Sequence, residues 1–136
     1  ELDAAVLDVK LKYLDEDNKK RQELAAYYYE NIKNPLITLP VRIDDENNVY
    51  HQFPIFCERR DELQEFLKEH DVQTLIHYPI PPHLQECYEK ENWNTLQLSL
   101  PISERIHNCE LSIPMNQVVT MKEAKIVVDA INSFKS

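Results

Sequence analysis

The chain of 136 residues is 43% hydrophobic, which is enough for one compact domain around a modest core and argues against a second domain. Its 15 basic and 24 acidic residues give a net charge of −9, a balance that argues against a nucleic-acid-binding surface, where a basic face is expected. The sequence has no run of about 18 apolar residues and no signal-type start, so it predicts neither a membrane span nor a targeting segment.

The first 33 residues predict one long or once-bent helical segment, because apolar residues recur at three- and four-residue steps and no proline occurs before Pro35. The charged run at residues 15–21 is expected to form a solvated bend between two helical halves. The apolar band of the first half is wider than a small core needs, so it is either buried within this domain or docked onto absent sequence or a partner subunit. Because the chain begins at Glu1 inside this pattern and without methionine, we expect a fragment of a longer protein.

Two short strands follow the helical segment. Asn34-Pro35 ends the helix, and Leu36–Leu39 is the first strand. Residues 42–48 are polar and turn-like, after which Val49–Glu58 returns to β-type residues. Pro54 within this second strand has no N–H and therefore indicates a strand edge or a bulge.

A helix and a third strand complete a predicted strand–helix–strand unit over residues 49–78. Asp61 is the expected N-cap of the helix, with Gln64 completing an approximate capping box, and the apolar stripe continues to His70. Thr74–Tyr78 is rich in β-type residues and is the third strand.

The last part of the chain predicts short helices, one strand and a final helix. A helical turn at His83–Tyr88 and a polar loop at residues 89–98 lead to a helical patch at Ser103–Cys109 and a strand at Leu111–Pro114. Thr120–Glu123 is a capping box that opens the final helix. The apolar face of that helix comprises Ala124, Val127, Val128, Ile131 and Phe134. The elements predict an α+β fold, with a small, mostly antiparallel sheet of three or four strands packed with helices and preceded by the long N-terminal helical segment.

The three cysteines, Cys57, Cys87 and Cys109, are odd in number and include no C-x-x-C pair. This pattern favours free thiols in a reducing compartment, so we expect a cytoplasmic protein. A zinc site built from Cys87 with His77 and His83 is conceivable, but the spacing matches no common zinc signature. The sequence therefore predicts no metal site.

The segment Asp71–His83 carries the strongest functional signal. It delivers His77 and Tyr78 from a strand into the corner Pro79-Ile80-Pro81-Pro82, which ends at His83. Each proline holds φ near about −65° and biases the residue before it toward an extended conformation, so the corner is rigid without ladder hydrogen bonds. Polar aromatic groups on such a corner are placed for contact with a ligand.

The other histidines give weaker signals. His51 is either a half-buried strand histidine bonded to the backbone or a second contact residue, and His70 and His107 are expected to be structural. The sequence contains no G-x-S-x-G, H-E-x-x-H or Cys–His signature and no glycine, so Gly-rich phosphate loops are excluded from this chain. We assign no catalytic residue to it.

An ordered series of motifs resembles a known family. Glu1–Tyr29 is similar to a pattern in which E-L-Q-A-A leads into N-x-x-R and a tyrosine, and Val72–Gln85 is similar to G-I-x-T-x-x-H-Y-P-x-P-x-H-x-Q. Further similar segments are Tyr50–Phe53, Arg60–Leu67, Leu98–Pro101, Glu104, Leu111–Pro114 and Thr120–Glu123. The chain resembles the C-terminal part of the DegT/DnrJ/EryC1/StrS sugar-nucleotide aminotransferases over essentially its whole length.

The resemblance implies pyridoxal-phosphate-dependent transfer of an amino group, usually from glutamate, to a keto-sugar attached to a nucleoside diphosphate. The form of the corner is most similar to members that act on 3-keto-6-deoxy sugars linked to thymidine diphosphate. The lysine that binds the cofactor covalently would lie in a large domain upstream of Glu1, so this chain alone is expected to bind no pyridoxal phosphate (PLP) and to be inactive. Residues 1–33 would be a helical connector and residues 34–136 the small α+β domain of a homodimeric enzyme.

The resemblance also implies roles for residues of the corner. His77 and Tyr78 are expected to contact the sugar nucleotide, and His83 and His51 are weaker candidates for the same wall. Val72 stands where the family pattern has glycine, so the turn before the third strand is expected to differ. Two other functions stay open: a non-catalytic module that binds nucleotide sugars, and a regulatory or dimerisation protein of the same fold.

Overall fold

The computed structural model describes residues 2–42, 47–90 and 98–135. In chain order, the elements of these ranges are α1 (Leu2–Leu11), α2 (Leu14–Asn31), β1 (Phe53–Phe56), α3 (Arg60–Glu69), a 3-10 turn (Pro82–Leu84), α4 (Glu86–Lys90), α5 (Pro101–Cys109), β2 (Glu110–Ile113) and α6 (Met121–Ser133). The turn predicted at residues 42–48 and the loop predicted at residues 89–98 lie partly outside the described residues. None of the helices within these ranges combines the length and apolar character needed to cross a membrane.

The N-terminal helical segment is bent once, but the bend lies at Lys12 and Tyr13. The prediction of a bend at residues 15–21 is therefore wrong. Three acidic residues of that charged run lie in the first turn of α2, where carboxylates interact favourably with the positive end of the helix dipole. The charged run therefore lies at the start of α2, whereas the prediction placed a break between two helices there.

The apolar band of α1 is exposed. α1 buries none of its residues, and the side chains of Leu2, Leu7 and Leu11 are 81%, 64% and 66% exposed. In contrast, α2 buries Leu24 and Tyr28 in the core. Burial within this domain, one of the two explanations for the band, is therefore wrong for the described residues.

The sheet is an antiparallel pair of short strands, β1 and β2, in which Phe53 lies opposite Ile113. The predicted strand Val49–Glu58 is shortened to β1, because Tyr50 has a φ of 48° and so departs from extended geometry. Single bridging residues extend the sheet on both sides, with Thr38 beside β1 and Leu75 beside β2. These bridges replace the strands predicted at residues 36–39 and 74–78, since prolines bracket the first segment and end the second.

Pro54 lies on the outer edge of β1. The N–H of Phe56, two residues further on, donates to the carbonyl of Thr38, so the nitrogen of Pro54 faces the same side, away from β2. The missing N–H therefore removes no hydrogen bond between β1 and β2. The predicted strand edge is confirmed.

α3 begins without the predicted cap. Arg59 occupies the N-cap position and makes no side-chain cap, so the capping box expected from Asp61 and Gln64 is wrong. Asp61 instead lies in the first turn, where its carboxylate accepts a hydrogen bond from the Arg60 guanidinium.

The C-terminal end of α3 makes the turn that leads toward the proline corner. Asp71 has a φ of 58°, its N–H donates to the Lys68 carbonyl (3.1 Å), and the N–H of Val72 donates to the Leu67 carbonyl (2.9 Å). These two bonds and the buried side chains of Val72 and Leu67 form a Schellman motif. The left-handed residue is therefore Asp71. Counting back from His77 and Thr74 aligns the glycine of the family pattern with Asp71 and its isoleucine with Val72, so the prediction that assigned the glycine position to Val72 is wrong by one residue.

α6 begins in the predicted capping box, with the N–H of Thr120 donating to Glu123 Oε2 (2.8 Å) and the N–H of Glu123 donating to Thr120 Oγ1 (3.3 Å). All five residues predicted for its apolar face are buried. The large side chains that are fully buried in the core are Leu24, Tyr28, Phe53, Ile55, Leu63, Leu67, Leu111 and Ile131. Helices packed on a small antiparallel sheet confirm the α+β class.

Candidate functional site

The bridge between Leu75 and Ser112 places the candidate site beside β2. The N–H of each residue donates to the carbonyl of the other, at 3.0 and 2.8 Å. Because side chains alternate along a strand, Glu110 and Ser112 lie on the face of β2 opposite the core residues Leu111 and Ile113. The segment that follows Leu75 therefore passes two buried polar side chains on its way to the proline corner.

His77 is anchored to both of these side chains. Its N–H donates to Glu110 Oε2 (2.8 Å), and its ring Nδ1 lies 3.0 Å from Ser112 Oγ. The Ser112 hydroxyl donates to Glu110 Oε1 (2.6 Å), which closes the chain of hydrogen bonds. Glu110 and Ser112 are only 5% and 6% exposed, whereas the His77 ring is half-buried.

Glu110 and Ser112 were missed by reasoning from the sequence. The run Glu-Leu-Ser-Ile alternates polar and apolar residues, and such alternation is typical of a strand whose polar face meets water. In the structure that polar face is covered by the segment that contains His77. The sequence signal for these residues was present, but it pointed to exposure.

Tyr78 points outward beside His77. Its side chain is 66% exposed, and its ring lies edge-on to the His77 ring with centroids 5.8 Å apart. The peptide bond between the two residues is cis. The carbonyl of Tyr78 accepts a hydrogen bond from His107 Nδ1, so the histidine predicted to be structural holds the main chain of the corner.

A groove of about 890 Å³ opens beside His77, and we call it the His51–His77 groove. It is lined by His51, Gln52, Gln64, Glu65, Lys68, Val72, Gln73, Thr74, Leu75, His77, Ser112, Ile113, Pro114, Met115 and Asn116. The structure thus brings together two of the four histidine and tyrosine residues that the sequence analysis selected. Tyr78 and His83 are not among the lining residues.

His51 is exposed and lies just before β1, so the expectation of a half-buried strand histidine is wrong. It also borders a second, smaller groove of about 450 Å³ between the start of α2 and the loop that contains Gln117. Arg21 ties these parts together, since its guanidinium donates to Gln117 Oε1 (2.8 Å) and approaches the carbonyls of Tyr50 and Met115. The backbone around His51 is therefore held by α2.

His83 occupies a different environment. It lies in the 3-10 turn with 7% of its surface exposed, and its Nε2 is 3.1 Å from Glu104 Oε1. The N–H of Leu100 donates to the same oxygen (2.8 Å). That N–H, and after it the His83 imidazole, lower the pKa of the Glu104 carboxyl from its ordinary value. Contact between His83 and a substrate stays a prediction.

The described residues do not fit the requirements of PLP. A lysine that binds the cofactor covalently is usually desolvated or set beside another cation, yet every lysine whose side chain is described is exposed. Lys68, which lines the His51–His77 groove, is paired with Glu65 at 3.0 Å. The chain also contains no glycine from which to build a phosphate-binding loop.

Metal binding is similarly unsupported in the part of the chain that the structure describes, where no group of three or more His, Cys, Asp or Glu residues could hold an ion. Cys57, Cys87 and Cys109 are free thiols there. Burial raises the pKa of the Cys57 and Cys109 thiols. These two cysteines are therefore poorly suited to act as thiolates.

Comparison with known proteins places this geometry in context. The model of the DegT/DnrJ/EryC1/StrS aminotransferase family matches residues 1–132. A dTDP-3-amino-3,6-dideoxy-alpha-D-galactopyranose transaminase from Aneurinibacillus thermoaerophilus is 48% identical over 98% of this chain and 36% of its own length. A pleiotropic regulatory protein from Geobacillus stearothermophilus is 35% identical over 98% of the chain and 36% of its own length.

Among solved structures, S. venezuelae DesV in complex with a ketimine intermediate superposes with a TM-score of 0.85. It is 38% identical in sequence, and the match covers 95% of this chain and 34% of DesV. The chain spans about a third of the length of the relatives it matches.

Proposed function

The chain belongs to the DegT/DnrJ/EryC1/StrS aminotransferase family, and on this basis we propose that it is part of a PLP-dependent sugar-nucleotide transaminase. The enzyme transfers an amino group, from glutamate, to a nucleoside-diphosphate keto-deoxysugar, and its substrate is a dTDP-linked 3-keto-6-deoxyhexose. The observation that carries the proposal is the 48% identity, over nearly the whole chain, to a relative named as a dTDP-3-amino-3,6-dideoxy-alpha-D-galactopyranose transaminase.

The proposal gives this chain the task of forming one wall of the substrate site. His77 supports it best, because its ring is anchored through Nδ1 and it lines a groove large enough for a sugar. Tyr78 adds an exposed phenol beside it, and His51 also lines the groove. His83 joins the wall only if the 3-10 turn rearranges when substrate binds.

The cofactor is held by polypeptide outside this chain. PLP supplies the electron sink for proton movement at the carbon that gains or loses nitrogen. Residues 1–33 serve as a helical connector and residues 34–136 as the small domain, and the exposed apolar face of α1 is covered by the large domain in a cytoplasmic homodimer. This chain alone, mixed with PLP and borohydride, is expected to show no single lysine that carries the reduced cofactor in preference to the other exposed lysines.

The test of the substrate wall uses the intact enzyme. His77→Ala and Tyr78→Phe should each raise the KM for the nucleotide sugar by about tenfold, the factor that corresponds to one lost hydrogen bond. His70→Ala, at an exposed histidine outside the groove, is the matched control and should leave that KM unchanged. Loss of bound PLP with unchanged affinity for the sugar nucleotide would contradict the assignment.

A second function is favoured by one observation, the 35% identity to a pleiotropic regulatory protein. In that case the protein binds a nucleotide sugar, or dimerises, without transamination. Glutamate should convert the PLP form of a transaminase to its amino form, a change that is visible by absorbance. A purified protein that shows no such change, while still binding dTDP-sugars by calorimetry, would favour the regulatory function.

A further inference from the structure

The chain of hydrogen bonds from Glu110 through Ser112 to His77 has a direction. A carboxylate can only accept hydrogen bonds, and Glu110 accepts one at each oxygen, from the N–H of His77 and from the hydroxyl of Ser112. A serine hydroxyl has a single hydrogen, and Ser112 gives it to Glu110. The oxygen of Ser112 therefore offers only lone pairs to the His77 ring.

The proton of the His77 imidazole must then be on Nδ1. The Nδ1 atom lies 3.0 Å from Ser112 Oγ, which is a hydrogen-bond distance only if one of the two atoms donates. Since Ser112 has no hydrogen left, Nδ1 is the donor. In a neutral imidazole the other nitrogen, Nε2, then carries a lone pair and no hydrogen.

The burial of the two supporting residues keeps this arrangement intact. Glu110 and Ser112 are almost inaccessible to solvent, so water does not compete for the carboxylate or the hydroxyl. Among the described residues, none forms a hydrogen bond with Nε2 of His77. Nε2 is thus the ring nitrogen that has no partner among the described residues. His77 itself lines the His51–His77 groove.

We propose that Glu110 and Ser112 are positioning residues that hold neutral His77 as the Nδ1–H tautomer, so that Nε2 accepts a hydrogen bond from a hydroxyl group of the ligand. The identity of the ligand as a nucleotide sugar rests on the proposed function. An Nε2 lone pair repels diphosphate oxygens and the keto oxygen, which can only accept, and pairs with a sugar hydroxyl. His77 thus forms its hydrogen bond with the sugar and not with the diphosphate.

The tautomer can be measured without any substrate. In the intact protein labelled with 15N-histidine, long-range proton–nitrogen correlation at about pH 8, where histidines are mostly neutral, should give His77 a protonated Nδ1 and an unprotonated Nε2. The His77→Gln variant assigns the resonance by its disappearance. A protonated Nε2 with an unprotonated Nδ1 overturns the proposal.

Glu110→Gln gives a sharper test because glutamine has the shape of glutamate but reverses the donor and acceptor roles along the chain of hydrogen bonds. The glutamine oxygen still accepts from the N–H of His77, but its amide now donates to Ser112 Oγ, and the serine hydrogen turns toward Nδ1. The neutral tautomer of His77 should therefore switch to Nε2–H. The matched control is Glu123→Gln, since Glu123 also accepts from a backbone N–H and a hydroxyl but lies in the cap of α6. It should leave the His77 signals unchanged.

Variants of Ser112 keep the test decisive if Glu110→Gln does not fold. Ser112→Thr retains the hydroxyl and should retain the Nδ1–H tautomer. Ser112→Ala removes the acceptor of Nδ1 and should shift population to the Nε2–H form. An Nδ1–H tautomer that persists undiminished in Ser112→Ala overturns the proposal.

Ligand titration separates the two parts of the nucleotide sugar. With dTDP-glucose as the probe, the Nε2 resonance of His77 should move to lower frequency as it accepts a hydrogen bond, whereas thymidine diphosphate alone should leave it in place. An equal shift with thymidine diphosphate overturns the assignment to the sugar. If the wild-type enzyme transaminates no nucleotide sugar and yet shows the Nδ1–H tautomer, the proposed function fails and the positioning role of Glu110 and Ser112 stands.

Discussion

The two histidines that flank the proline corner, His77 and His83, are both linked by hydrogen bonds to glutamates, but their rings differ in burial. His77 is half-buried, reaches Glu110 through Ser112, and lines the His51–His77 groove. His83 is 7% exposed and lies directly against Glu104. The His77 ring borders a groove, whereas the His83 ring is enclosed by the domain.

The difference follows from the elements that carry the two residues. His77 lies two residues after the Leu75 bridge, so its backbone is held at the edge of β2 and its ring lies against the Ser112 side chain. His83 lies in the 3-10 turn after Pro82, which directs the ring inward toward α5. Similar chemistry therefore accompanies a half-buried ring beside a groove at one end of the corner and a buried, packed ring at the other.

The strongest test of this comparison is the stability cost of removing the enclosed ring. His83→Ala should lower the free energy of unfolding by about 2 kcal/mol, because it leaves a cavity and removes the partner of Glu104. Urea denaturation of the intact protein measures this change, with His70→Ala at an exposed position as the control. Unchanged stability together with a large loss of affinity for the nucleotide sugar would break the comparison.

The open ring should matter less for stability. His77→Ala should lower the free energy of unfolding by about 1 kcal/mol, the net contribution of one hydrogen bond, because the backbone N–H still reaches Glu110 and Ser112 still donates to it. The same denaturation experiment measures it. A cost equal to that of His83→Ala would show that His77 is a packing residue after all.

Local signals in the sequence predicted the parts of the fold that local forces decide. The capping box at Thr120 and the helical spacing after it gave α6 and its buried face. The proline corner gave His77 and Tyr78 as neighbours at the end of an extended segment. The prediction misplaces the bend after α1 because a charged run also suits a solvated turn, whereas the acidic residues of this run stabilise the first turn of α2.

The support of His77 could not be predicted because it depends on pairing across distant sequence. Ser112 is 35 residues from His77, and the Leu75 bridge brings the segment that contains His77 against the polar face of β2. Without that contact, the alternation in Glu110–Ile113 indicates exposure for Glu110 and Ser112. The inward orientation of His83 is likewise decided by contacts with α5, which has no signature near the corner.

Low pH should lower the stability of the fold around His83 through protonation of its partner, Glu104. The Leu100 N–H, and then His83, lower the pKa of this carboxyl below its ordinary value of 4.5. A group whose pKa is lower in the folded state stabilises the fold fully above the unfolded value, and loses that contribution as the pH falls from 4.5 through the folded value. The effect is smaller than either histidine substitution, because Glu104 is partly exposed and water screens it.

The measurement is the unfolding free energy between neutral pH and acid, compared between wild type and Glu104→Gln. Glutamine cannot titrate, so the variant should lose less stability than wild type across the acid range. Glu58→Gln, at an exposed carboxylate paired with Arg105, is the control. If the free energy of unfolding falls equally with pH in wild type and in Glu104→Gln, the ionised Glu104 carboxylate does not stabilise the fold around His83.

The smallest expected effect concerns the turn that starts the segment leading to His77. Asp71 has a φ of 58°, a conformation that glycine adopts without steric cost, although glycine loses more entropy on folding. Asp71→Gly should therefore raise the free energy of unfolding by only about 0.5 kcal/mol. Because the Schellman bonds and the Leu75 bridge fix the chain beyond the turn, the KM for the nucleotide sugar should not change. A changed KM would mean that the left-handed turn, and not the edge of β2, sets the position of the His77 ring.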